Sequence, residues 1–212
     1  MYNEFYIAFL LESPQRVQGA NSFEYQKDMI LSNIRNGLDV HLVANAIYKL
    51  DSGNGQITYW IGNDTGSNIS IIVDTIVNGR FCKVSLTSKN PSMAKGTAPY
   101  ASDLYLAIKS DIVNKSLTFT SDNILSDDAE RLWKRLSTNG NTLSVYDSAN
   151  KQYVMSPIQS SNDLDRYISN DTSKKQYIFT LSENKSYQSG LIHGFKLLEI
   201  KRLIGYPEPV EF

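Results

Sequence analysis

Between residues 40 and 88 the chain lays down apolar, partly alternating segments joined by turn chemistry, and after Asn90 the period changes. Residues 40–50, 57–61, 69–77 and 80–88 read as strands. "DSGNG", "GNDTGSN" and the Asn78-Gly79 pair supply the turns between them. Asn-Gly is a strong hairpin signal, and links this short make neighbouring strands antiparallel. Then Ala101, Leu104, Tyr105, Ile108 and Ile112 recur at helical spacing, with Pro99 near the first turn. A strand meander that gives way to helix makes an α+β plan around a mostly antiparallel sheet.

The remaining elements fit that plan. Residues 5–11 read as a first strand and 14–21 as loop. Ser22 is placed to cap a helix carrying Phe23, the Lys27 stem, Ile30 and Ile34 on one side, with Gly37 just past its end. Residues 117–120 make a short strand. Ser126 caps a second clear helix whose first turn holds Asp127, Asp128 and Glu130 and whose end holds Lys134 and Arg135, as the helix dipole favours. Ala129, Leu132, Trp133 and Leu136 form its apolar stripe, so they are expected in the core. Residues 143–146 and 152–155 read as a hairpin, and 177–181 as a strand. The polar stretch after Pro157 suggests one helical turn, and residues 191–204 fit neither period.

Composition narrows the functional classes. The chain has 212 residues, 41% hydrophobic and 20% charged, enough for one substantial core. A formal charge of -1, without a long run of one sign, gives no strong nucleic-acid signal. A single cysteine, Cys82, excludes an intramolecular disulfide; its apolar strand context reads as a buried thiol. One cysteine and two histidines argue against a Cys/His zinc site. The N-terminal "MYNEFYIAFLLESPQ" lacks a basic n-region, and its apolar run is too short to span a bilayer. A cytoplasmic setting without membrane association is therefore expected.

The stretch "VSLTSKNPSMAKGTAPYASDLYLAI" joins strand, turn and helix N-terminus. Small residues let backbone approach phosphate oxygens, and the helix end favours negative charge. Lys95 adds a point charge, whereas Pro99 removes a donor. The simpler reading is a turn with a solvated lysine.

From about Arg80 to Tyr153 the element order is similar to the GNAT N-acetyltransferase fold. That family's pyrophosphate turn, Arg/Gln-x-x-Gly-x-Gly/Ala, is matched in "MAKGTA" by Gly96 and Ala98, while Met93 stands where Arg or Gln is usual. "TFTSDNILSDDAERLWKRL" resembles the family's fifth strand and following helix, in a form similar to GNAT-like proteins predicted in tailed bacteriophages. The resemblance implies a single mixed, mostly antiparallel central sheet flanked by helices. It implies a GNAT-like domain over residues 1–156, with 157–212 as a C-terminal extension packed on that domain. It also implies acetyl-CoA as co-substrate, with Leu86, Ser88, Lys95, Gly96, Thr97 and Ala98 as cofactor-binding residues. The acceptor would be an amine on a small molecule, a protein or a modified nucleotide. Oligomeric state is open, with a homodimer as one option.

Acyl transfer to an amine needs a neutral nucleophile, a polarised carbonyl and a protonated leaving thiolate. The family commonly uses a Tyr as acid where Trp133 stands here, and an indole cannot serve as a general acid near neutral pH. Asp122 is then the first candidate, with Ser121 and Tyr146 beside it; a turn residue bonding the backbone ahead of Ser126 is the favoured reading of Asp122, and Ser121 has the same two readings. Tyr153 is a further hydroxyl on the same hairpin. Glu12 reads as a base or a solvated strand end. His41 and His193 lack the context of a Ser-His-Asp hydrolase, and no Gly-x-Ser-x-Gly elbow occurs. Two functions remain: an acetyl-CoA-dependent N-acyltransferase, favoured by Gly96, Ala98 and the element order, and a catalytically inactive GNAT-like binding protein, favoured by Met93, Pro99 and Trp133.

Overall fold

The computed structural model describes residues 20–94, 96–122, 125–138, 141–168 and 176–182. The expected strand at residues 5–11, Glu12, Lys95, His193 and the 191–204 segment lie outside the described residues.

A helix, α1 (Ala20–Arg35), precedes five strands: β1 (Val40–Ala44), β2 (Ile47–Gly53), β3 (Gln56–Gly62), β4 (Ile69–Asn78) and β5 (Phe81–Lys89). Next come α2 (Ala101–Val113), β6 (Thr118–Thr120), α3 (Asp127–Thr138), β7 (Thr142–Asp147) and β8 (Gln152–Met155). A 3-10 turn (Ser161–Arg166) leads to β9 (Tyr177–Ser182). The strands form one sheet in the order β1-β2-β3-β4-β5-β6-β9-β7-β8. Every pairing is antiparallel except β5 with β6. The α+β class and the single mixed, mostly antiparallel sheet expected from the sequence are what the chain adopts.

Three local readings change. Residues 40–50 are two strands, because Asn45 and Ala46 turn the chain and Ala44 faces Ile47 across the hairpin. Ala46 takes φ 56°, a conformation its side chain does not advertise. Ser22 lies inside α1, which already includes Ala20. The third concerns β9: the segment after residue 157 supplies an interior strand, between β6 and β7.

Other signals hold. Gly37 has φ 83° and closes α1 in a Schellman arrangement, with its N–H on the Ile34 carbonyl and the Leu38 N–H on that of Asn33. Ser126 Oγ accepts from the Ala129 N–H at 3.2 Å, capping α3.

The sheet carries a core on each face. On one side α2 and α3, the latter through Trp133, cover Tyr59, Ile71, Val73, Cys82 and Val84, together with Phe119, Val145 and Phe179. On the other, α1 sets Phe23 and Ile30 against Leu50, Trp60, Ile69 and Ile72. Cys82 is fully buried, and that burial pushes its thiol up. Among the described residues no helix is long and apolar enough to cross a membrane.

Candidate functional site

The sheet opens where β5 meets β6. Only three residue pairs connect them: Phe81 with Thr118, Cys82 with Phe119 and Lys83 with Thr120. Beyond Lys83, β5 runs on to Lys89 paired, among the described residues, only with β4, so residues 84–89 present an edge that no described strand covers. An unpaired edge offers backbone N–H and C=O groups to an extended partner.

A β-bulge sits at the start of that edge. Val84 pairs with Thr75 and Leu86 with Asp74, leaving Ser85 as the extra residue. Its hydroxyl donates to the Asp74 carbonyl at 3.2 Å. The extra residue reverses the alternation of side chains. Before it, Cys82 and Val84 face α2 and α3. After it, Thr87 meets the Tyr105 hydroxyl of α2 at 2.8 Å, while Ser88 turns under α1 and donates to Gln26 Oε1. The Ser88 hydroxyl is thus committed to α1, and a cofactor at this strand would meet Ser88 and Leu86 through their backbone. Burial pushes the Tyr105 phenol up to about 12, which keeps it a hydrogen-bond donor near neutrality.

The turn after β5 is internally bonded. Gly96 has φ 76°, which favours glycine, and a Cβ added there would meet nothing within 4 Å. Thr97 Oγ1 donates to the Ala94 carbonyl at 2.7 Å, and Ala98 precedes a cis Pro99. Tyr100 Oη donates to the Gly96 carbonyl at 3.1 Å. Two cations that sequence reasoning missed converge here. Lys89 Nζ donates to the Thr97 carbonyl at 2.6 Å, and desolvation pulls its ammonium below the usual lysine value. The Arg135 guanidinium lies 4.7 Å from the Tyr100 ring centroid. At the helix itself Asp103 Oδ2 accepts the Tyr100 N–H at 3.2 Å, so one carboxylate already occupies the N-terminus of α2.

The end of β6 supplies the other wall. Asp122 Oδ1 accepts from Lys83 Nζ at 3.1 Å, tying β6 to the last paired residue of β5 at the point where the strands part. Ser121 is buried; its Oγ donates to the Asp122 carbonyl at 2.7 Å and accepts the Phe179 N–H at 2.9 Å. That hydroxyl staples β6 to β9. Beside it, Thr120 Oγ1 is buried without a hydrogen-bond partner among the described residues. Tyr146 is buried on β7, its ring 5.1 Å from Phe81 and 5.2 Å from Tyr153, with the Arg80 guanidinium 5.3 Å from its centroid. The structure therefore joins Asp122 and Ser121 at the parting of the strands and sets Tyr146 in an aromatic cluster. His41 is exposed on β1. Lys83 was the legible clue missed: it is the charged residue of "FCKVS", opposite in face to Cys82 and Val84.

Among the described residues no cluster of three or more His, Cys, Asp or Glu is arranged to hold a metal ion. No protein-family model matches the chain, and no curated protein matches it. Among solved structures it is similar to one described as "Putative acetyltransferase from GNAT family from Bacteroides thetaiotaomicron", at 10% identity over 74% of this chain and 77% of that one, with a TM-score of 0.32. A superposition that loose fixes neither family nor activity.

Proposed function

We propose that this chain is an acetyl-CoA-dependent N-acyltransferase acting on an amine. The observation that carries the reading is the parallel β5–β6 pair that parts after Lys83, leaving residues 84–89 as an open, bulged edge that leads into the Gly96 turn and α2. It agrees with what the resemblance of this stretch to the GNAT fold implies.

The residues present fit such a co-substrate in kind. An extended pantetheine chain carries amides that can pair with the open edge of β5 as an added strand does. Phosphates would sit at Gly96, Thr97 and Ala98, where Lys89 and Arg135 supply positive charge. Asp103 at the helix end and the missing N–H of Pro99 weaken this cradle. The thioester supplies the acyl group and a thiol leaving group. Backbone N–H groups of the β5 edge polarise the carbonyl, as preorganised donors do. In this reading Asp122, paired with Lys83 where the strands part, is the group that hands on the proton.

Calorimetric titration with acetyl-CoA and CoA tests the reading. Both are expected to bind, and Gly96→Glu is expected to abolish binding, because its side chain and charge would oppose the phosphates. Undiminished binding by that variant would move the cofactor elsewhere. No heat or stabilisation from either compound at millimolar concentration would overturn the reading. Asp122→Asn is expected to keep CoA affinity and lower turnover by about tenfold or more, as loss of a proton-transfer residue does. An Asp122→Asn enzyme with full turnover would assign that residue to the strand junction alone.

A further inference from the structure

On the α1 face of the sheet lies a pocket of about 290 Å3 bounded by α1, β3, β4 and the β2–β3 turn. The Asp74 carboxylate of β4 is its charged group; no Lys, Arg or His lines it, and no ion pair reaches Asp74 among the described residues. Two neutral donors hold the carboxylate: Thr58 Oγ1 to Oδ1 and Gln26 Nε2 to Oδ2, each at 2.7 Å. Gln26 is itself fixed, since its oxygen takes the Ser88 hydroxyl. A carboxylate has about four acceptor positions, so this one is oriented yet not saturated.

Two large side chains of α1 stand at the same pocket and remain in solvent: Tyr25 is 65% and Met29 45% exposed. A preorganised carboxylate, an aromatic ring and a thioether are the surroundings that attract an organic cation, through charge, cation–π and polarisable contact. We propose that this pocket binds a small organic ammonium ion, with Asp74 as its counter-charge and Tyr25 against its apolar part. Anions are excluded by Asp74, and a neutral ligand of the same shape would leave that carboxylate uncompensated. Burial raises the Asp74 carboxyl above its ordinary value, with the Thr58 and Gln26 hydrogen bonds opposing that rise; a bound cation relieves the same desolvation. The inference stands on the pocket alone and does not require acyl transfer.

The test is a titration of the full chain with benzylammonium and with 1,5-diaminopentane, against benzyl alcohol as the neutral isostere, followed by calorimetry and thermal shift. The ammonium compounds are expected to bind saturably and raise the melting temperature, and benzyl alcohol to do neither. Asp74→Asn is expected to weaken ammonium binding by about tenfold or more, the effect of losing one charge-assisted contact. The fold is expected to tolerate that change, since an amide can turn its oxygen to Gln26 and its NH2 to Thr58 Oγ1. Should Asp74→Asn nevertheless fail to fold, Tyr25→Ala at an exposed helix position is expected to weaken benzylammonium more than diaminopentane. Equal binding of benzylammonium and benzyl alcohol, binding that survives Asp74→Asn, or no binding of either amine would each overturn the proposal. These outcomes are separate from the CoA titration, so one reading can fail while the other holds.

Discussion

Replacing Trp133 with alanine is expected to cost the fold roughly 3–5 kcal/mol, the range for truncating a large aromatic in a core. Trp133 is 1% exposed and sits where four elements meet. Its ring lies 5.7 Å from Tyr105 of α2, 6.0 Å from Phe119 of β6 and 6.1 Å from Phe179 of β9. Tyr105 and Phe119 also meet edge to face at 5.3 Å. β6 has only three residues, so its ladder contributes little, and this cluster adds to the Ser121 and Asp122 contacts that hold it. Alanine would leave a void that three rings held by separate elements cannot fill by small shifts. Urea unfolding followed by far-UV circular dichroism reads the cost directly, with an unchanged m-value showing that the denatured state is unaltered. A loss of a few tenths of a kcal/mol would mean that α3 presents another face to the sheet. The same burial assigns Trp133 to packing and leaves any proton transfer to other groups.

Local chemistry in the sequence specified much of this architecture and was silent on the rest. The α3 stripe was legible in part: after the Ser126 cap and the charged first turn Trp133 and Leu136 are buried as expected, whereas Leu132 only packs half-buried against the core and Ala129 stays half-buried nearer the helix start. The β4–β5 hairpin was legible because Asn78 and Gly79 mark it, and Asn78 indeed faces Phe81 across the turn. The Asn45-Ala46 turn was not, since alanine at positive φ has no signature and the flanking residues continue an apolar run. β9 was legible as a strand, but its insertion between β6 and β7 is a non-local choice that no window of the sequence expresses. The candidate site follows the same division. Gly96 and the β5-to-α2 order could be read directly, whereas the Lys83–Asp122 pair spans 39 residues and the Gln26–Asp74 contact 48. The Ser85 bulge decided which side chains of β5 face α1, and that shift of register left no mark in "VSLTSK".

Removal of the Asp111 carboxylate, as in Asp111→Ala, is expected to cost about 3 kcal/mol or more, in the range for breaking one half of a buried ion pair. Asp111 lies on α2 and accepts from Lys49 Nζ of β2 at 2.6 and 2.7 Å and from Tyr59 Oη of β3 at 2.8 Å. The two charged side chains are only 16% and 15% exposed, so the ammonium cannot simply turn to water. Burial and the neighbouring carboxylate push the Tyr59 phenol far above its usual value, so it is a neutral donor near neutrality. In the alanine variant Lys49 has no other acceptor among the described residues, and Tyr59, which is fully buried, keeps an unmet hydroxyl. These two penalties can be separated. Adding Lys49→Met to Asp111→Ala removes the stranded charge and is expected to recover much of the loss, while Asp111→Ala with Tyr59→Phe removes only the unmet hydroxyl and should recover less. Chemical denaturation of the three proteins decides the matter. A cost below about 1 kcal/mol for Asp111→Ala would place the pair with ordinary surface bridges. No recovery on adding Lys49→Met would trace the loss to the Tyr59 hydroxyl alone. The expected pattern instead makes this ion pair the device that sets the C-terminal half of α2 on β2 and β3.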